Sequence, residues 1–529
     1  MSNEYGSRAE RRRASKEEKA VENNKQIEQQ NEPTTVRTER VSRAELRKNS
    51  AEAEKETFVG NSWPSYGIIA LIALALSVTF YTFPLFHQQA TPLQSQYLYS
   101  GFAMQHGLTP FNDFFGAGGS VFYLLNWLGN LTAGTLILYL LEVIALFASG
   151  VLTYRLVLQQ TAKSSAATIV SAFTMIIVAG LGRGGDVPTL FALPFVIWAV
   201  KFLDAYFNKD NKDEKFILFG MAAAFVFVIS PLMSVFFAFS ALALFFYNVT
   251  HRHVSRGIYQ LLGALFGLLV IGYSIAYYAL NAQTIYTSIE QSVLIPFTHF
   301  GMTGNVLLTL AKALILLLVF GLLIGLVQGF MQLKNAGQAT IWYVFLLIGA
   351  ILVAGVVIFT PFFDSSNLLA VLPFILVFQG RGLENAIKED QNLLFAYLQS
   401  KGFTPILALI FVVGAPIAYS MINQTTFANE KSVAQYIRQN TSSKDHVYVL
   451  SADKNINLLA QRTAGIDTVP ANYPLKFSQT YDLNIGNIKD KYIVIEAGQK
   501  VPNSLNSLLT ANYKAVGFDG NNFKIFQRK

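Results

Sequence analysis

The chain has no cysteine, so disulfides and thiol chemistry are excluded and any folded part is held by packing alone. Charge is scarce as well: Asp, Glu, Lys and Arg make up 14% of the residues while hydrophobic types make up 52%, with 43 Phe. A soluble core does not need so much apolar sequence, and this balance describes a polytopic membrane protein. In the last hundred residues a Gly-rich phosphate loop, a Ser-His-Asp arrangement and His spacing suited to a metal are equally absent. The first sixty residues lack aromatic side chains almost entirely, and their interleaved acidic and basic residues cannot bury a core.

Each membrane crossing takes about 20 apolar residues. About eleven such runs are present, roughly 63–86, 132–157, 165–181, 187–203, 216–230, 231–250, 257–280, 305–330, 340–360, 365–379 and 402–422. No cleavable signal peptide is expected, because the first run is long and far from the N-terminus. Lys and Arg alternate in a way that orients the bundle. With the N-terminus inside, the inner loops hold Arg155, Lys163, Lys209, Lys212, Lys215, Arg252, Arg256, Lys334, Arg381, Lys388 and Lys401, and the outer loops before the last span hold only Arg183. The pI of 9.2 therefore reflects orientation and a weak lipid-surface contact by Arg8 to Arg13, with no nucleic-acid partner expected.

The expected organisation is a disordered cytoplasmic tail over 1–61, a membrane bundle over 62–425 with an outer loop at 87–131, and an extracellular α/β domain over 426–529. In that last part the pattern changes to short alternating elements. Strands are expected at 446–451, 492–496, 513–518 and 523–527, and helices at 430–440, 455–462 and 504–509, forming a small, partly parallel sheet. The simplest role for it is a cap on the outer mouth of the bundle.

Ionisable groups near the outer surface are the candidates for chemistry, because such groups are costly there. Asp113 lies in the first outer loop, Arg183 and Asp186 form R-G-G-D between the third and fourth runs, Asp364 precedes the tenth, and Lys312 lies inside the eighth. Cations with one or two carboxylates suit a lipid-linked phosphate, the cations holding it and a carboxylate taking a proton from an attacking hydroxyl. The competing reading has Lys312 snorkelling and Arg183 paired with Asp186 as a loop clasp. Glu142, about ten residues into the second run, is read as an interhelical hydrogen bond. Gly116 to Gly119 reads as a turn requiring φ > 0 more than as a phosphate cradle. Tyr286, Glu290, Phe297, His299 and Phe300 are an aromatic and polar mix suited to a sugar ring or to an interfacial belt.

The segment from Gln94 to Asn130 resembles the first outer loop of the GT-C-fold membrane glycosyltransferases, of the protein mannosyltransferase and aminoarabinose transferase types. The residues that carry the resemblance are Tyr97, Tyr99, Gly107, Pro110, Phe111, Asp113, Phe114, Phe115, Phe122 to Asn126, Leu128 and Gly129. The C-terminal part, with S-V-A-Q-Y-I-R-Q-N-T and later K-Y-I-V-I-E, is similar to the outer domain of bacterial members. The resemblance implies a GT-C-like α-helical bundle that moves a sugar from a polyprenyl-phosphate donor to a cell-envelope acceptor at the outer face of a plasma membrane. Members usually carry an acidic residue just before the tyrosines, as base or metal ligand, where this chain has Leu93, Gln94 and Ser95. A neutral Gln cannot take a proton near pH 7, so Asp113 or Asp186 is the candidate base. Arg183 and Lys312 are the candidate phosphate ligands, and Gln94, Gln96, Tyr97, His299 and Asp364 the other substrate contacts. No cofactor is required by these residues, and a divalent metal stays open. Two other functions remain: an inactive relative that binds lipid-linked glycan or an assembly partner, and a lipid-linked-sugar flippase, for which repeat symmetry between halves is expected and not seen.

Overall fold

The protein is described by a computed structural model over residues 62–84, 90–131, 134–209, 213–298, 305–360, 363–466, 485, 488–518 and 522–529. Each of the eleven apolar runs contains a helix among its described residues. The long ones are α4 (Leu136–Thr161), α5 (Ser164–Leu181), α6 (Pro188–Lys209), α8 (Pro231–Thr250), α9 (Val254–Asn281), α12 (Thr340–Phe359) and α14 (Thr404–Ile422). Together with the segment Ser365–Lys388, which contains α13 (Leu372–Arg381), these make eight helical stretches long and apolar enough to cross a membrane. Two runs give shorter helices, the 16-residue α1 (Ser62–Ser77) and the 14-residue α7 (Phe216–Ile229).

The run at 305–330 is not one rod. It forms α10 (Val306–Val319) and α11 (Leu322–Gln332), bent by 65° at Gly321, whose φ of 68° is left-handed and ends the first helix. Lipid exposure varies sharply across the bundle. Only 11% of the apolar window of α9 is buried, against 83% for Ser365–Lys388, so α9 lies at the periphery and α13 in the centre. The core runs through α4, α5, α6 and α13, with Leu146, Val157, Leu193, Val200 and Phe378 excluded from the surface.

Between α1 and α4 the segment 90–131 folds into two helices, α2 (Pro92–Gln105) and α3 (Ser120–Gly129). The α2 helix starts with a capping box in which Thr91 and Gln94 satisfy each other's backbone amides. A helical segment at 285–298 contains a π-helical turn at Glu290–Leu294, an irregularity that recurs at functional sites.

After α15 (Gln424–Asn440) comes a four-stranded sheet of β1 (Val447–Leu450), β2 (Tyr492–Glu496), β3 (Tyr513–Val516) and β4 (Phe523–Arg528), in the order β1-β2-β4-β3. The β1 and β2 strands are parallel, in register Val447 to Tyr492, and the other pairs are antiparallel. All of β1 and the first four residues of β2 are buried, as a sheet covered on both faces requires. The covering helices are α15 and α16 (Asn455–Ala460) on one side and α17 (Asn503–Asn512) on the other. The α2 helix docks directly on this domain: Lys454 donates its amide to the Ser95 hydroxyl at 2.9 Å, Gln96 donates to the Ala452 carbonyl at 3.1 Å, and the Ala464 amide donates to the Tyr99 hydroxyl at 2.9 Å.

Candidate functional site

The R-G-G-D loop between α5 and α6 is the most unusual piece of backbone in the described chain. Arg183, Gly184, Gly185 and Asp186 all have positive φ, at 49°, 85°, 97° and 45°. Glycine adopts that region freely, whereas Arg and Asp do so at a cost of about 1–2 kcal/mol each, so neighbours must hold the loop in place. They do so from four segments distant in sequence. Gln94 donates from Nε2 to the carbonyls of Arg183 (2.6 Å) and Gly185 (3.1 Å), and the Tyr81 amide donates to the Gly184 carbonyl at 3.2 Å. The Asp186 carboxylate accepts from the Tyr81 hydroxyl at 2.8 Å and from Asn126 Nδ2 at 3.0 Å. Beneath them Glu142, fully buried, accepts from the Thr82 hydroxyl. A Cβ on Gly185 would come within 2.6 Å of the Glu142 carboxylate, so this position needs glycine for space as well as for φ.

Gln94 uses its whole hydrogen-bonding capacity. Its Oε1 accepts from the Thr91 amide (3.1 Å) and hydroxyl (3.0 Å), while its two N–H groups are taken by loop carbonyls. A carboxylate in its place would present acceptor to acceptor. The neutral amide is therefore what the fold requires there, and its side chain is buried.

Two cavities meet at this loop. One, of about 560 Å³, lies between the end of α5 and α14 and is walled by Phe411, Val412, Ala415, Ile417 and Met421. The other, of about 310 Å³, is walled by Tyr97, Phe115, Ser230, Phe297 and Thr360. Arg183 and Thr91 line both. Among the described residues Arg183 is the one charged residue lining the first cavity, and Arg183 and Asp364 are the charged residues lining the second. The guanidinium stands 3.6 Å from Asp364 Oδ2 and is about half exposed, while Asp364 is 13% exposed. The other Asp364 oxygen caps the following helical turn by accepting from the Ser366 amide at 2.8 Å.

The remaining candidates divide. Tyr97 lines the smaller cavity with its ring edge-on to Phe122 at 4.8 Å, and Gln96 lines it while bonding the C-terminal domain. Asp186 is wholly enclosed, and burial pushes its carboxyl up to about 7 against the lowering pull of Tyr81 and Asn126. It is not among the residues lining either cavity. Asp113 closes a turn of its own, accepting from the Thr109 amide at 2.6 Å, and is not among the cavity-lining residues. Lys312 lies on an exposed face of α10 and is not brought to either cavity. His299 lies outside the described residues. Glu142, which linear position set apart from the rest, joins the cluster because the R-G-G-D loop folds down on α4.

The G-A-G-G-S loop also differs from expectation. None of its glycines has positive φ among the described residues, and its amides are already engaged: Gly116 donates to Gln291 Oε1 (2.9 Å), Gly118 to the Tyr123 hydroxyl (3.0 Å) and Gly119 to the Ile229 carbonyl (3.0 Å). Close packing selects glycine here, since a Cβ on Gly119 would lie 2.1 Å from the Val228 carbonyl oxygen. Tyr81, Thr82 and Thr91 are the site residues that linear reading missed. Their signal was slight, a few hydroxyls at the end of the first apolar run and at a helix start. Among the described residues no group of three or more His, Asp or Glu could hold a metal ion.

Among solved structures, ArnT from Cupriavidus metallidurans bound to undecaprenyl phosphate matches 87% of this chain and 97% of its own, with a TM-score of 0.59 at 12% identity. The same protein in the apo state matches over the same spans with a TM-score of 0.58. The Archaeoglobus fulgidus oligosaccharyltransferase in the apo form matches with a TM-score of 0.47 at 13% identity, over 82% of this chain and 70% of its own. No curated protein matches by sequence. The bundle is thus a GT-C-like membrane fold with a small C-terminal sheet domain. Family models described as "Putative competence-induced protein Ccs4" match as the N-terminal domain over residues 54–424 and as the C-terminal domain over residues 427–529. The chain belongs to this competence-induced Ccs4 family.

Proposed function

We propose that the chain binds a polyprenyl-phosphate-linked sugar across the two cavities and transfers the sugar to a cell-envelope acceptor. The observation that carries this reading is the position of Arg183, a half-exposed guanidinium at the junction of two cavities, one walled in part by Phe411, Val412, Ile417 and Met421 of α14 and the other lined by Asp364. In this arrangement the prenyl tail lies against α14, the phosphate sits on Arg183, and the sugar occupies the smaller cavity beside Tyr97. Asp364 accepts the proton of the acceptor hydroxyl as its oxygen bonds to the anomeric carbon. The bond from that carbon to the phosphate oxygen breaks, and lipid phosphate leaves on Arg183. The GT-C-like fold and the undecaprenyl phosphate held by ArnT support the lipid class. The Lys and Arg pattern of the loops supports a plasma-membrane orientation with the N-terminus inside and the C-terminal domain outside.

Binding of a soluble short-chain polyprenyl phosphate to the purified protein tests the phosphate site. Arg183→Gln is expected to weaken binding at least tenfold and Lys312→Gln to leave it unchanged. Equal binding by Arg183→Gln and the unaltered chain overturns the assignment. A second reading, a carrier-binding protein without transfer, is favoured by one observation: where the resemblance leads one to expect an acid, Gln94 is neutral and fully engaged. In that case phosphate binding survives while loss of the chain leaves envelope sugars unaltered.

A further inference from the structure

A second polar cavity, of about 620 Å³, lies at one end of the C-terminal sheet and is independent of the cleft at Arg183. Strand topology creates it. Because β1 and β2 run parallel they begin at the same end, and because β4 runs antiparallel to β2 it finishes there, with Val447, Tyr492 and Gln527 in register. The residues just before and after that line are basic: Lys444 and His446 enter β1, Lys489 and Lys491 enter β2, and Arg528 and Lys529 close β4. Five of the thirteen Lys and Arg in residues 426–529 are thereby gathered into one groove.

The acids within it are committed elsewhere. Asp445 is held by Lys491 at 2.9 Å, and Asp490 is buried and accepts from the Gly465 amide at 3.0 Å. Lys444, Lys489 and Arg528 are exposed, and the Arg528 guanidinium is braced by the Lys489 carbonyl at 2.9 Å. Among the described residues the lining holds no apolar side chain for a lipid tail, and its one aromatic ring, the His446 imidazole, is tied to the Thr463 hydroxyl at 3.0 Å, so no platform of Phe, Tyr or Trp for successive nucleic-acid bases is present there. We infer that this groove binds a linear, base-free anionic polymer, its phosphate or carboxylate groups placed successively on Lys444, Lys489 and Arg528.

The test uses the full chain in nanodiscs of zwitterionic lipid, with inorganic polyphosphate, polyglutamate and single-stranded DNA as probes, each titrated over a range of salt. The N-terminal stretch is basic too, so variants of equal charge are compared. Lys444→Gln with Lys489→Gln and Arg528→Gln is expected to weaken polyphosphate binding at least tenfold and to lower the slope of log affinity against log salt by about two, as loss of three single-strand contacts requires. Lys500→Gln with Lys514→Gln and Lys524→Gln should change neither, and Lys444→Arg with Lys489→Arg should retain binding. Polyglutamate binding as tightly as polyphosphate would identify carboxylate as an equal source of the charge, and weaker binding would identify phosphate. Equal losses in the two Gln triples, no loss in either, or groove-dependent DNA binding tighter than that of polyphosphate would overturn the inference.

Discussion

Gln94 shows how one side chain can be polar, buried and chemically inert while the site depends on it. Replacing it with Glu removes two donors and sets a carboxylate against the Arg183 and Gly185 carbonyls, at about 1–3 kcal/mol for each group left unsatisfied. Gln94→Glu is therefore expected to lower the thermal midpoint of the purified protein and to weaken phosphate binding. A rise in transfer activity would instead locate the base there. Gly185→Ala combines strain at φ 97° with a clash against Glu142 and is expected to cost at least about 1–3 kcal/mol in thermal or chaotrope unfolding. Asp186 gives a pH test. Its folded carboxyl, raised to about 7 from an ordinary 3.8, favours folding in the protonated form. Its stabilising contribution is complete below pH 3.8 and is lost as pH rises through about 7. Asp186→Asn should reduce the fall in unfolding temperature across that window relative to the unaltered chain, and an identical pH profile for both would contradict the assignment.

At the scale of elements, much was legible because membrane helices and buried strands carry their burial in composition. Each of the eleven apolar runs contains a helix among its described residues, eight of the helical stretches being long and apolar enough to cross a membrane, and the four strands fall within a residue or two of the pattern that suggested them. The break at Gly321 escaped notice because the sequence stays apolar through the bend, so hydropathy carries no mark of it. The site itself was legible only in pieces. Arg183, Asp364 and Tyr97 could be singled out as costly or motif-bearing residues, but the network joining residues 81, 94, 126, 142 and 186 is made of long-range contacts that no local spacing encodes. Lys312 misled because a lysine within an apolar run can point to either side of its helix. The α2 helix has a double task, one side supporting the R-G-G-D loop and the other carrying the C-terminal domain through Ser95, Gln96 and Tyr99. Tyr99→Phe with Ser95→Ala removes two of these bonds, about 1 kcal/mol each. The pair is expected to speed proteolytic release of the C-terminal domain without altering phosphate binding at Arg183. Unchanged proteolysis would show that the docking rests on other contacts.

For the whole molecule, the absence of cysteine permits a direct test of orientation. A membrane-impermeant maleimide added to intact cells is expected to label Lys500→Cys and to leave Lys334→Cys unlabelled until the membrane is opened, and the reverse pattern would invert the proposed topology. Arg183 stands between a cavity walled in part by apolar residues of α14 and a cavity lined by Asp364, and the proposed reaction sets a lipid tail, its phosphate and a transferred sugar along that order. The most direct test of that account is the sugar composition of the cell envelope from a strain lacking the chain, complemented at matched membrane levels. One sugar should be missing, and it should be restored by the unaltered chain and by Asp113→Ala but by neither Asp364→Asn nor Arg183→Gln. Full restoration by Asp364→Asn, or an envelope unaltered by loss of the chain, would contradict it.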